Sequence, residues 1–353
     1  MLNPKYEVPS RKTLSNGLLE SNYQRELAKL TDNLSKTTSL ALTSDGWTNS
    51  NNTSFMAVTV HYINDESNLC SNLLECTEFP NKHTADNIAI CLKNVAEKFK
   101  IHDKIQAVVT DNAANMKAGV RQTKFTHLPC FAHTLNLIVQ NAVQKSISDT
   151  VEKIKTIVRF FKKNSTATHK LAEAQQKLGF IVLKLKQDVL TRWNSTYDMI
   201  NRFHKNKIPI LSCLDSMKYK HDLSTKDWLV MEQTVKVLQT FDHVTKVISA
   251  EKSVTISKMG ILLNILRQKI GKEMSDELEP PVKKLISILI QGLLEKGKPY
   301  LENKLVNQAM LLDPRMKNHS FENDRDSDSM GTEMSNQREK IYLNSWTNLK
   351  RII

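Results

Sequence analysis

Asp45 and Asp111 are the two residues whose types and surroundings could share a chemistry. Asp45 lies in SDGWT, directly after a short apolar run that begins at Leu40, and Asp111 lies in TDNAAN, directly after the apolar run IQAVVT. If those two runs are neighbouring strands, both carboxylates fall at one edge of a sheet, where open α/β sheets take their ligands. Paired carboxylates suit hard divalent cations such as Mg2+ or Mn2+. Two such ions about 4 Å apart can activate a water and stabilise the leaving oxygen in phosphodiester cleavage. SDG and TDN are also ordinary turn-forming tripeptides, so spacing alone leaves both uses open.

Other residues pair chemically along the chain. Cys130 and His133, three apart on an expected helix, face the same way. They supply only two of about four ligands that a structural zinc site takes. The pair therefore reads as the packed start of a helix, and no zinc is expected. Arg192 and Trp193 are adjacent; the guanidinium could meet a phosphate while the indole stacks on a base, or the indole could anchor a helix start. The stretch KIKTIVRFFKKN sets Lys162 and Lys163, with Lys153, Lys155 and Arg159, among apolar positions. That face either tracks a nucleic-acid backbone or is simply solvated, and the salt dependence of binding separates the two. Glu251 in SAEKSV reads as a loop glutamate, and Asp313 in LLDPR as a turn that ties the helical region back to the core.

The elements that must hold these residues follow from pattern. SFMAVTVHYI after Asn52 is apolar on both faces, as in a strand covered on both sides. Leu69 to Phe79 is a third strand candidate, joined by turn residues that imply antiparallel hairpins. After Pro80 the period turns helical: Thr84 can cap, and Ile88, Leu92, Val95, Ala96 and Phe99 form one stripe. Three strands, a helix and a fourth strand at 105–110 make a mixed α/β sheet. From about residue 130 onward the pattern is helical. Phe131, Leu135, Ile138, Val139 and Ala142 share a face, as do Val282, Leu285, Ile286, Leu289 and Leu293. Upstream, Ser15 is positioned to cap a helix through Leu18, Leu19, Tyr23, Leu27 and Leu30.

Bulk properties narrow the class. With 40% apolar and 25% charged residues, the chain has ordinary globular composition, so wholesale disorder is excluded. The five scattered cysteines show no CxxC pair and read as thiols in a reducing compartment. No apolar stretch approaches the ~20 residues of a membrane span, and the N-terminus carries no targeting signal. The chain reads as soluble and intracellular. Its net charge of +13 favours a polyanionic partner.

The ordered blocks LNPKYEVPSRKTL, LTSDGWTNSNNTSFMAVTVHYI, VVTDNAANM, LPCFAHTLNLIV, TRWNSTYDMI and LLDPRMK resemble transposases of the hAT superfamily, and within it the transposase-derived group that carries a BED-type zinc finger. The resemblance implies a retroviral-integrase-like (RNase H-like) core followed by a large all-helical insertion domain. It also implies metal-dependent cut-and-paste DNA transposition through an acidic triad. Asp45 and Asp111 match the first two acids, Cys130 and His133 the C-x-x-H element, and Arg192 and Trp193 the RW element associated with handling DNA ends. The third acid belongs to a C-terminal block that also holds the dimerisation region. The 36 residues after Lys317 do not resemble it, and no BED finger precedes the first block.

The expected organisation is an N-terminal helical segment at 1–37, the first part of the core at 38–149, the helical insertion at 150–317 and a polar, disordered tail at 318–353. The expected function is a transposase-derived, DNA-binding nuclear protein without catalytic competence in this form, using Mg2+ or Mn2+ if the acidic site works. A homo-oligomer is expected only with the C-terminal block, and neither a membrane nor a small-molecule substrate is expected. A fragment of an active transposase and a non-enzymatic protein-interaction module are the alternatives.

Overall fold

A computed structural model of the chain describes residues 9–80, 82–189, 191–250 and 253–316. The expected tail at 318–353 and Glu251 lie outside the described residues. The chain divides into two compact units, Met1–Cys130 and Phe131–Ile353. The division falls at residue 130, where the sequence pattern placed it after 149.

The first unit is a mixed sheet with helices. A short α1 (Arg11–Thr13) and a π turn lead into α2 (Leu19–Lys36). The cap is Ser10, whose hydroxyl accepts the Thr13 N–H, rather than the expected Ser15. Leu34 of α2 is fully buried, with Leu27 and Leu30 partly so, whereas Leu18, Leu19 and Tyr23 remain exposed. The strands are β1 (Leu40–Thr48), β2 (Ser54–Ile63), β3 (Leu69–Glu78), β4 (Ile105–Thr110) and β5 (His127–Pro129), in the order β3-β2-β1-β4-β5. The first three pair antiparallel as the turn residues imply, and β1, β4 and β5 run parallel.

Asparagines close the hairpins. The Asn49 side chain accepts the N–H groups of Asn51 and Thr53, and the Asn64 side chain accepts that of Asn68. These side chains mimic backbone turns at little steric cost. Thus β1 runs on to Thr48, and SDGWT is strand rather than the turn its composition suggested.

One sheet face makes the core. Leu40, Leu42, Met56, Val58, Val60, Tyr62 and Val108 are buried beneath α3 (Ala85–Lys98) and α4 (Ala114–Thr123) through Ile88, Leu92, Met116 and Val120. The other face of β2, with Phe55, Ala57, Thr59 and His61, is only half-buried. Thr84 caps α3 as expected, accepting the Asn87 N–H. Helix α4 and strand β5 were not legible in the sequence. Three residues are too few to show a period, and β5 exists only as a parallel partner of β4 after the α4 crossover.

Helices α3 and α4 approach closely at Gly119. A Cβ there would stand 2.7 Å from Ile88 Cγ2 and 3.1 Å from the Ala85 carbonyl. Gly119→Ala is therefore expected to lower stability by about 1–2 kcal/mol, overpacking outweighing the gain in helix propensity. Gly271, in a helix and with nothing within 4 Å, is the contrast. There alanine is expected to add up to about 1 kcal/mol. Urea unfolding of both variants decides; a stabilised Gly119→Ala would show that the two helices can part.

The second unit is all helical. Its elements are α5 (Phe131–Ser146), α6 (Ser148–Lys163), α7 (Ser165–Lys177), α8 (Trp193–Lys205), α9 (Lys207–Ser216), α10 (Thr225–Ile248), α11 (Met259–Glu273), α12 (Pro280–Leu301) and α13 (Lys304–Leu312). The apolar stripes read from α5 and α12 are buried. Phe131 meets Tyr300 edge-on at 5.0 Å, and the Tyr300 and Thr134 hydroxyls are 2.6 Å apart, joining α5 to α12. Asp227 sits at the start of α10 in a capping box with Ser224.

Candidate functional site

The register of the parallel pair brings the two acids together. Leu42 lies opposite Val108 and Thr43 opposite Val109. Continued by two residues, that register sets Asp45 level with Asp111, on strands whose usual spacing is about 5 Å. Side chains alternate along a strand, so Asp45 falls on the face of Thr43, opposite the helix-covered core, while Asp111 begins the turn that follows β4. Asp45 is exposed inside β1, paired with Ala57, and Asp111 is half-buried just past the end of β4. The sequence placed Asp45 after its strand; the structure places it within.

Local bonds fix both acids. Asp111 Oδ1 accepts the Ala113 N–H at 3.0 Å, a turn that launches α4. One residue earlier, the buried Thr110 hydroxyl donates to the Asp111 carbonyl at 3.0 Å and meets His127 Nε2, also at 3.0 Å. His127 holds its pKa below the usual histidine value through burial and then the nearby Lys117 and Arg121 cations. On β1, Thr43 Oγ1 meets His61 Nε2 at 3.1 Å, and burial likewise lowers the His61 pKa. Asn115 donates to the His83 carbonyl at 2.7 Å, tying α4 to the segment before α3.

Trp47 is the residue that sequence reasoning missed. It follows Asp45 by two positions on the same strand face, is 41% exposed and stacks on Phe55 at 5.7 Å. Alternation would have shown it, had SDGWT been read as strand. The acids are hard oxygen donors fit for Mg2+ or Mn2+ with water completing the shell. Among the described residues no group of three or more His, Cys, Asp or Glu could hold a metal ion.

The other expected residues scatter. Cys130 precedes the helix that carries His133, so the two do not share a helix face. The Cys130 N–H donates to the Thr110 carbonyl at 2.8 Å. The His133 side chain makes no hydrogen bond to another described residue. No disulfide joins any of the five cysteines.

Trp193 is 2% exposed and packs against Tyr197 and Phe241, at ring distances of 6.1 and 6.3 Å. In this arrangement it anchors α8 and offers no face to a base. Arg192 beside it is exposed. Asn136 clamps this turn, accepting the Trp193 N–H at 2.9 Å and donating to the Thr191 carbonyl at 3.2 Å. Of the basic run on α6, Lys153 pairs with Asp227, Lys155 with Glu152 and Asp188, and Arg159 lies 3.9 Å from Glu152. Lys162 and Lys163 stay exposed, without an ion pair among the described residues. Asp313 accepts from Ser257 at 2.8 Å and from the Arg315 guanidinium at 2.8 and 2.9 Å, which hold its carboxyl well below the usual range. These partners lie within the second unit, so the turn fastens α13 there rather than to the sheet.

A five-stranded mixed sheet with acids at the carboxyl ends of β1 and β4, followed by a helical unit, defines an RNase H-like protein. The chain matches the ZBED1 RNase-like domain over residues 43–128 and the ZBED1 RNase-like helical domain over 128–237. It is 24% identical to human zinc finger BED domain-containing protein 4 over 91% of this chain and 28% of that protein. It is 26% identical to the putative AC transposase of Zea mays over 90% of this chain and 41% of that protein. A putative transcriptional regulator of Talaromyces stipitatus, tpeD, matches at 26% identity over 75% of this chain and 36% of its own length. The chain belongs to the hAT-derived, transposase-like proteins. It spans well under half the length of these relatives. No described helix is long and apolar enough to cross a membrane.

Proposed function

We propose that this chain binds DNA without cutting it, as a nuclear protein of transposase descent. The placement of Asp45 and Asp111 at the carboxyl ends of the neighbouring parallel strands β1 and β4 carries this reading. There the pair would hold Mg2+ or Mn2+, and a cation so held supplies charge to a phosphate backbone. Two carboxylates leave a second ion poorly held, which separates binding from cleavage. The exposed Trp47 offers a ring to a base, and Lys162, Lys163 and Arg192 are cations free to meet phosphates. The excess charge of +13 favours the same partner.

Anisotropy of labelled duplex and hairpin DNA across a salt series tests the reading. The affinity is expected to fall steeply with salt, and Lys162→Ala with Lys163→Ala to reduce the slope by about two. An unchanged slope would remove these lysines from the interface, and no binding at low salt would remove DNA altogether. Cleavage of hairpin DNA in Mn2+ that is lost in Asp45→Asn would show an active transposase site instead.

A further inference from the structure

Between α7 and α8 the chain leaves helical structure and runs as an irregular strap through residues 180–186. Buried Gln175 grips it at one residue: its Oε1 accepts the Leu183 N–H at 3.3 Å, and its Nε2 donates to the Leu183 carbonyl at 3.0 Å. Gln175 is itself 1% exposed and braced by Asn206 at 2.7 Å. Arg202 donates to the Lys184 carbonyl, and Lys186 pairs with Asp198 at 2.6 Å. The strap is thus clamped at Leu183, Lys184 and Lys186 by side chains of α7 and α8.

Its outer side is unusual. Ile181 is 78% exposed, Val182 45% and Leu183 39%. Among the described residues the backbone N–H and C=O groups of Ile181 and Val182 have no protein partner. An exposed apolar segment with open backbone groups can accept an added strand from a partner. Beside it opens a cavity of about 460 Å³ lined by Phe161, Leu171, Val182 and Leu185, with Lys162 and Lys184 and no acidic residue in its wall.

We propose that this strap and cavity take an extended acidic peptide. One apolar side chain of the peptide would fill the cavity, its backbone would pair with Ile181 and Val182, and its carboxylates would meet Lys184 and Lys162. Nucleic acid fits less well, because a phosphate backbone has no use for an aliphatic wall or for unpaired strand groups. Ile181, Val182 and Lys184 play no part in the DNA reading, with which this inference shares only Lys162.

Binding of a fluorescein-labelled peptide of about ten alternating glutamates and leucines to the full chain, with amide hydrogen exchange, tests it. The expected result is saturable binding, slowed exchange at Ile181 and Val182, and a loss of about tenfold or more in affinity in Lys184→Glu and in Val182→Asp. Both side chains are exposed, so the fold should survive, and an unchanged circular-dichroism spectrum and thermal midpoint in the variants would confirm that it has. Equal binding of a lysine–leucine peptide, or affinity unmoved by both substitutions, would overturn the proposal. So would protection of the strap by duplex DNA in place of the peptide.

Discussion

Asp45→Asn and Asp111→Asn are each expected to weaken Mn2+ binding by at least about tenfold, and the double variant to abolish it. The metal would be held by two carboxylates at the ends of adjoining strands, and each contributes a full charge to a hard cation whose other ligands are water. Asparagine keeps the shape of the side chain. At position 111 its amide oxygen can still accept the Ala113 N–H that launches α4, so the turn survives. The substitution therefore removes charge rather than structure. Electron paramagnetic resonance of free Mn2+ reads the affinity directly, and thermal unfolding without metal provides the control. A midpoint that holds while affinity falls places the effect at the site. Mn2+ affinity that ignores both substitutions would end the case for a shared cation.

Asp227→Ala is expected to destabilise the helical unit by about 3–5 kcal/mol, because it strands a lysine and three other donors around an empty place. The carboxylate accepts from Thr150 at 2.8 Å, Lys153 at 2.9 Å, the Ser224 N–H at 2.9 Å and the Ser224 hydroxyl at 2.7 Å. Burial alone would raise its pKa, but the bonds from Ser224, Lys153 and Thr150 prevail and lower it from 3.8 to about 2. A lowered carboxyl pKa contributes stability that is complete above the ordinary value near 4 and is lost as the pH falls towards 2. That contribution is about 2 kcal/mol. Urea unfolding of the wild-type chain should therefore weaken between pH 4 and 2 more than that of Asp227→Asn. A wild type and variant that lose stability in parallel over that window would show that the carboxylate is not so held.

Much of the architecture was legible because burial imposes periods. The stripes of α5 and α12 each mark one face that must leave water, and the structure buries those faces, whereas β2, read as covered on both sides, buries one face fully and the other only in part. The antiparallel hairpins followed from asparagine-rich turns whose side chains close them locally. The pairing of Asp45 with Asp111 was legible only as a condition on strand order. The family resemblance supplied the RNase H-like expectation that the mixed sheet then met.

What the sequence by itself determined is the local part: residue types, periods, turn chemistry and the excess of positive charge. These depend on neighbours a few positions away. Tertiary structure alone decided which strands adjoin, that SDGWT continues β1, that three residues at 127–129 become a strand, and that Trp193 is packed while Trp47 is exposed. It also decided which lysines of α6 are paired, since Asp227 and Asp188 lie far along the chain from the cations they meet. Long-range contacts of this kind carry no period in the sequence, because they are fixed by the packing of whole elements.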